Sequence, residues 1–464
     1  MSNDTQYDIV VIGSGPSGQK AAIQGAKAGK RVALIEQNRE VGGACVYQGT
    51  IPSKTMRESA LQIVRFQRTT EIFEFKMRDD IKIASLMKRL DQVVKAHGQF
   101  MKEQIGRNNI DRFHGRAKFL SDREIQISGI DGKPITLTAN FVVIGTGSSP
   151  RVPDNIPVDH EHILDSDSIL SLVYLPKSLT VLGGGVIASE YASIFALLGV
   201  QVTMIDTSDR PLKFLDKELT DEFCGAFEES GGTYRGEQKI KEAHWDGYSK
   251  VITTLENGDT VESEKLLVAL GRIANIKGLQ IESAGLTPTS RGLIPVNDDC
   301  QTSVPHIYAV GDVIGPPSLA SCSMEQGRRA TCHALGLDTG SDPENTPMGI
   351  YTIPEMSSVG LSEQEVIEKF GGAMVGRSKF KEIARGQISG MTVGLLKLVA
   401  DPQGEKLLGV HIVGEGATEL IHIGQMGLLN QVKIDSFVEN IFNFPTLAEA
   451  YRVAALDITK KRHR

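Results

Sequence analysis

Residues 7–37, YDIVVIGSGPSGQKAAIQGAKAGKRVALIEQ, decide the fold. Residues 7–12 are nearly all apolar, as a parallel strand covered on both faces must be. The turn Gly13-Ser14-Gly15-Pro16-Ser17-Gly18 follows, then a helix over 16–28 that ends near Gly29, then a second strand over 31–35. This is one βαβ unit. Its G-x-G-x-x-G spacing has a physical reading. Gly13 permits the tight turn, Gly15 lets the backbone approach a pyrophosphate, and Gly18 lets the helix pack closely on the strand. The helix N-terminus supplies N–H donors and partial positive charge to the phosphates. Glu36, at the end of the second strand, is placed to accept hydrogen bonds from both ribose hydroxyls.

A second copy lies at residues 178–208, SLTVLGGGVIASEYASIFALLGVQVTMIDTS. It reads strand over 179–182, glycine turn, helix over 188–198 and strand over 201–205. Gly183 and Gly185 repeat the first two positions, and Ala188 stands at the third. Asp206 ends the second strand, where an acid favours the 2′-hydroxyl of NAD and repels the 2′-phosphate of NADP. Arg210, four residues on, could pair that phosphate bidentately or be a solvated surface charge. The two units are too far apart to be halves of one sheet. Residues 81–105 between them form an amphipathic helix candidate whose apolar stripe belongs to the core rather than to a partner surface. After residue 345 the texture changes. KLLGVHIVGE at 406–415 and ATELIHIGQMGLLNQ at 417–431 suggest an α+β domain with an antiparallel sheet.

The chain has 464 residues, which allows roughly three domains of about 150 residues each. Hydrophobic content of 40% and charged content of 23% fit a soluble globular protein. Net charge is −7 and there is no basic run, which argues against nucleic acid as a partner. No apolar run approaches a membrane span, so no membrane partner is expected. The start, MSNDTQYDIVVIG, lacks the marks of a targeting segment, and the five cysteines are odd in number and scattered. A cytoplasmic protein without a disulfide framework or a metal site is expected.

Two nucleotide sites in one chain imply electron traffic between two nucleotides. Further motifs make the likeness specific: TGSSP at 146–150, GRIAN at 271–275 and TSVPHIYAVGD at 302–312. With the two glycine turns, they resemble the pyridine nucleotide–disulfide oxidoreductases, a family of FAD-dependent flavoproteins, over essentially the whole chain. The resemblance implies an α/β fold: two Rossmann-like dinucleotide-binding domains plus a C-terminal α+β dimerisation domain. It implies an FAD-binding domain over 1–151 and 278–345, an NAD(P)-binding domain over 152–277, and a dimerisation domain over 346–464 that makes a homodimer. It also assigns Thr146, Gly147, Gly271, Gly311 and Asp312 to cofactor binding, with Asp312 on the flavin ribityl chain.

The redox segment departs from the family's disulfide reductases, which carry C-x4-C before a helix beginning IPSK. Here Cys45 occupies the first position and Thr50 the second, and both are expected beside the cofactor. A hydroxyl cannot form a disulfide, so dithiol chemistry is excluded at this locus. The reductases also place a histidine acid/base in H-P-T-x-x-E. This chain has Phe444-Pro445-Thr446-Leu447-Ala448-Glu449, and phenylalanine transfers no proton. What remains is the flavin–nicotinamide half of the machine. By resemblance Lys54 lies at flavin N5 with Glu190 as its ion-pair partner, the two catalytic candidates.

The losses, together with GTIPSK, DSDSIL, YTIPE, IHIGQ and FNFPTLAEAYRVAAL, resemble one branch of the family, the soluble pyridine nucleotide transhydrogenases. That implies ping-pong hydride transfer between NADPH and NAD, with the nicotinamide nucleotides as substrates. Three alternatives stay open at this point: an NAD(P)H oxidase or peroxidase using Cys45 as a sulfenic acid, a quinone or metal-ion reductase, and a non-enzymatic flavoprotein scaffold.

Overall fold

In the computed structural model, which describes residues 5–68, 83–129, 133–340, 344–391 and 393–462, the strand Gln6–Ile12 lies between two parallel neighbours. These are Val32–Glu36 on one side and Pro134–Ile144 on the other. Every residue of Val32–Glu36 is buried, which is why that strand is apolar through Ile35 rather than alternating. Asp111–His114 adds a further parallel strand beyond it. Pro134–Ile144 is shared on its far side. Its first residues pair antiparallel with Glu124–Ser128, and Val142 to Ile144 pair parallel with Ile307–Ala309. The chain therefore returns to its first sheet after the whole second nucleotide unit has been laid down.

The second unit forms a parallel five-stranded sheet in the order Gly232–Arg235, Gln201–Ile205, Ser178–Leu182, Lys265–Val268, Ile163–Asp165. A three-stranded antiparallel sheet, Ile240–Trp245, Val251–Leu255 and Thr260–Ser263, is inserted in it. The crossings between the two units, Ser148–Pro150 and Arg272–Ala274, pair with each other as an antiparallel ribbon. From Met348 onward the chain builds an antiparallel five-stranded sheet backed by helices Ala417–Leu429 and Glu449–Arg462. The α/β architecture with a C-terminal α+β unit is the one expected.

Boundaries shift by a residue or two, for local reasons. The second glycine-turn helix is Val186–Leu197, starting two residues before the expected 188, because Gly185 is itself its N-cap. The long helix is Ile83–Arg107, and residues 81 and 82 of the expected span lie outside the described residues. Its Leu90, Val94, Met101 and Ile105 are buried against the helix Thr50–Arg68, so the apolar stripe is core.

Two glycines fix how closely the helices approach. A Cβ on Gly18 would stand 1.9 Å from the Gly13 carbonyl oxygen, and one on Gly327 would stand 2.0 Å from the Ser17 carbonyl oxygen. The helix Ala320–Ala334 thus packs backbone against backbone on Pro16–Lys27, where no side chain fits. Gly327→Ala should destabilise the fold by about 2 kcal/mol through overpacking. A fall of several degrees in the thermal midpoint would register it, and an unchanged midpoint would contradict the packing argument.

Candidate active site

Both glycine turns open into one cavity of about 2640 Å³, far larger than the roughly 300–1,000 Å³ that a single small ligand needs. Each turn ends at a helix start without a side-chain cap: Gly15 before Pro16–Lys27, and Gly185 before Val186–Leu197. Neither helix has an acid in its first turn. The orphan N–H groups there face a space that a Cβ on Gly15 or Gly185 would not fill, since nothing lies within 4 Å. Two uncapped helix starts in one cavity suit two pyrophosphates. Gly18 and Ala188 stand behind the cavity wall and act in packing, as does Gly311, while Gly13, Gly183, Gly147 and Gly271 line it.

The acids that follow each unit are fixed differently. Glu36 is buried, and its Oε2 accepts from the Ser14 N–H at 3.0 Å and the Ser14 hydroxyl at 2.6 Å. Its Oε1 accepts from the Asn38 N–H at 2.9 Å. A carboxylate so held presents its remaining lone pair in one direction. Asp206 lies directly beside the second turn, where a Cβ on Gly184 would come within 2.8 Å of its Oδ2. It lines the cavity. Arg210 does not. Its guanidinium donates to the carbonyls of Lys213 and Leu215 and, at 2.7 Å, to the Thr220 hydroxyl. The structure therefore holds this side chain in contacts outside the cavity lining. The physical reason is local. Leu212, with φ of +52°, precedes a turn in which the carbonyls of Lys213 and Leu215 meet the guanidinium.

Between the two turns stands the ion pair. Lys54 Nζ donates to Glu190 Oε1 at 2.9 Å and Oε2 at 2.7 Å. Glu190 is buried, and its Oε1 also accepts from the Tyr351 N–H at 2.9 Å. The ammonium lies 4.9 Å from the centre of the Tyr351 ring. Lys54 is the fifth residue of Thr50–Arg68, and its pair with Glu190 fixes where the ammonium points.

Asp312 lines the cavity and accepts from the Ser148 hydroxyl at 2.7 Å, which in turn accepts from Arg272 Nε at 2.8 Å. The Thr146 hydroxyl, also on the wall, is buried with no partner in the protein. Such a group calls for a bound partner. Cys45 and Thr50 face the same space, and burial pushes the Cys45 thiol up against a weaker pull from the Thr50 hydroxyl. Phe444 is 72% exposed on the C-terminal unit. Ser14, Ser148, Arg272 and Tyr351 were not singled out from the sequence. Ser14 sits inside the first glycine turn and Tyr351 opens the YTIPE segment, but only their contacts give them roles.

Two family models cover the chain: pyridine nucleotide-disulphide oxidoreductase over residues 7–327, and the dimerisation domain of the same family over residues 346–455. The chain is 42% identical to a soluble pyridine nucleotide transhydrogenase of Mycobacterium bovis, over 98% of each chain. It is 40% identical to that of Hahella chejuensis, over 97% of this chain and 98% of the relative. Among solved structures it is similar to LpdA from Mycobacterium tuberculosis, with a TM-score of 0.89 and 26% identity over 97% of this chain and 99% of that one. An HOCl-induced flavoprotein disulfide reductase from Escherichia coli gives a TM-score of 0.87 at 27% identity, with the same coverage.

The inward guanidinium makes a distinguishing prediction. Arg210→Ala should raise KM for NADH and NADPH by similar factors, on the order of threefold, because it loosens the segment both nucleotides meet. Steady-state KM values for the two nucleotides check this. A rise confined to NADPH would restore the phosphate-binding role.

Proposed function

The chain belongs to the pyridine nucleotide-disulphide oxidoreductase family, and on that premise we propose that it is an FAD-dependent transhydrogenase moving hydride between NADPH and NAD. The observation that carries this reading is one cavity with two uncapped glycine-turn helices, the Lys54–Glu190 pair between them, and Thr50 where a dithiol enzyme needs its second cysteine. The first turn, Glu36, Thr146 and Asp312 fit FAD: an anion site, two hydroxyl acceptors and an unpartnered buried hydroxyl. The second turn with Asp206 fits a nicotinamide nucleotide.

When bound, FAD supplies two-electron chemistry, taking hydride from one nicotinamide and giving it to the next. The protein's residues do the rest. The helix starts at Gly15 and Gly185 would hold the two pyrophosphates. Lys54 puts a preorganised positive charge between the nucleotide sites, and Glu190 keeps its ammonium aimed there. No thiolate is required, because donor and acceptor nicotinamides have nearly the same driving force. The raised Cys45 thiol, protonated at neutral pH, agrees with that.

In this reading residues 1–151 and 278–345 bind FAD, 152–277 bind the nicotinamide nucleotide, and 346–464 join two copies as a homodimer. We place the protein in the cytoplasm. That is supported by five free cysteines and by the absence, among the described residues, of any helix long and apolar enough to cross a membrane.

Two experiments test the reading. Under nitrogen, NADPH should bleach the flavin absorbance and NAD should then restore it. Bleaching without recovery by NAD, but with recovery by oxygen or a quinone, would overturn the transhydrogenase assignment. Separately, Lys54→Met should keep its flavin yet slow both half-reactions by on the order of 10²-fold, as loss of one preorganised charge donor does. Stopped-flow traces at the flavin band give both rates.

A further inference from the structure

Outside the lining of the nucleotide cavity, Lys397 is 2% exposed on the strand Leu395–Ala400 of the C-terminal sheet. Its ammonium meets three carboxylates: Asp216 at 2.8 Å, Glu218 at 2.6 Å and Glu363 at 2.7 Å. All three of its protons are thereby used. Arg377, on the neighbouring strand, pairs bidentately with Glu218 at 2.6 Å for both bonds and lies 3.5 Å from Glu363. The Arg377 guanidinium holds the Glu218 carboxyl down at about 2. A buried ion cluster of this kind is a poor way to add stability, because apolar residues of the same volume do as well. It is a good way to fix one element against another.

What it fixes is the start of the helix Lys217–Glu229 in the second nucleotide unit. Asp216 is the N-cap of that helix, and its carboxylate accepts from the Glu218 N–H at 3.0 Å while it pairs with Lys397. The segment leading into Asp216 walls the nicotinamide nucleotide's cleft, since Asp206 and Phe214 both line the cavity. That segment is stiff. The Leu212 N–H donates to the Gly184 carbonyl in the glycine turn at 2.8 Å, and Arg210 ties its second half to Thr220. Its anchors include the glycine turn, through Leu212, and the Lys397 cluster, through Asp216.

We propose that Lys397 is a positioning residue for the nicotinamide nucleotide, fixing from the C-terminal domain, through Asp216 and Glu218, the 206–216 segment against which the adenosine ribose seats. The inference rests on the second cleft taking a nicotinamide nucleotide. Without the ammonium, three carboxylates face one guanidinium, and mutual repulsion drives the helix start and the segment before it out of place.

The test uses the flavin-loaded Lys397→Met protein and ADP-ribose, which carries the ribose and pyrophosphate but no reacting ring. The expected result is a rise of about tenfold in the Kd for ADP-ribose and in KM for NADH, with kcat within about twofold and the flavin spectrum unchanged. An unaltered Kd for ADP-ribose in the flavin-loaded variant overturns the proposal, as does a fall in kcat with KM unchanged. A purely structural role would lower the thermal midpoint without moving the Kd. Should Lys397→Met fail to retain flavin, Arg377→Gln removes only the partly exposed cation. Its expected effect on the same Kd is about threefold, and no change again overturns the idea. ADP-ribose binding needs no turnover, so it succeeds or fails independently of whether NAD reoxidises the flavin.

Discussion

Glu190 is a carboxylate almost wholly withdrawn from water, and an acid so placed must be met by donors or be expelled. Its donors come from two other parts of the chain. Lys54 reaches it from the helix that follows the first nucleotide unit, and the Tyr351 N–H reaches it from the edge of the C-terminal sheet. Glu190 itself belongs to the helix of the second unit. One buried charge therefore sets three units in register, and the register is what brings two helix N-termini to the same cavity. Removing any one donor would leave the acid undersatisfied, so geometry and chemistry are held by the same bonds.

The parts of this arrangement that were legible in the sequence are those governed by local rules. Gly13, Gly15 and Gly18 announce a turn whose steric needs are met within six residues, and Glu36 follows at the end of the next strand. The nearly all apolar 7–12 run fits a strand covered on both faces. The alternation after residue 345 pointed to the antiparallel sheet but not to its burial, since Leu395–Ala400 and Leu407–Val413 are buried along almost their whole length. The parts that escaped depend on distant partners. Nothing local marks Ile307–Ala309, a strand of three residues, as the neighbour of Pro134–Ile144. Ser148 gains its role only because Arg272 and Asp312 converge on it across the crossing ribbon.

Arg210 shows the limit most sharply. Sequence spacing puts an arginine near a ribose acid, and two readings of it follow from charge alone. The outcome turns on a left-handed residue, Leu212, after which the Lys213 and Leu215 carbonyls meet the guanidinium. A non-glycine residue adopts that conformation only where its surroundings demand it, and no spacing rule supplies the surroundings. The cleft is left with Asp206 as its acid, which accepts readily from a 2′-hydroxyl and opposes a 2′-phosphate.

That asymmetry bears on how two substrates share one enzyme. Among the described residues the cavity is lined by two glycine turns that start uncapped helices, and in the proposed reading the flavin takes the one beside Glu36. A single nicotinamide cleft then remains. Donor and acceptor nucleotides must occupy it in turn, so the two substrates compete for the same helix start and the same Asp206. A ping-pong order follows if both nucleotides use this one cleft. A third helix start, that of Ala320–Ala334, also lies on the cavity without a side-chain cap, though not after a G-x-G-x-x-G turn. An ordered ternary complex would need that start, or a second face of approach through the space that Cys45 and Thr50 border. The absent second cysteine is consistent with that face having no electron-transfer partner to serve.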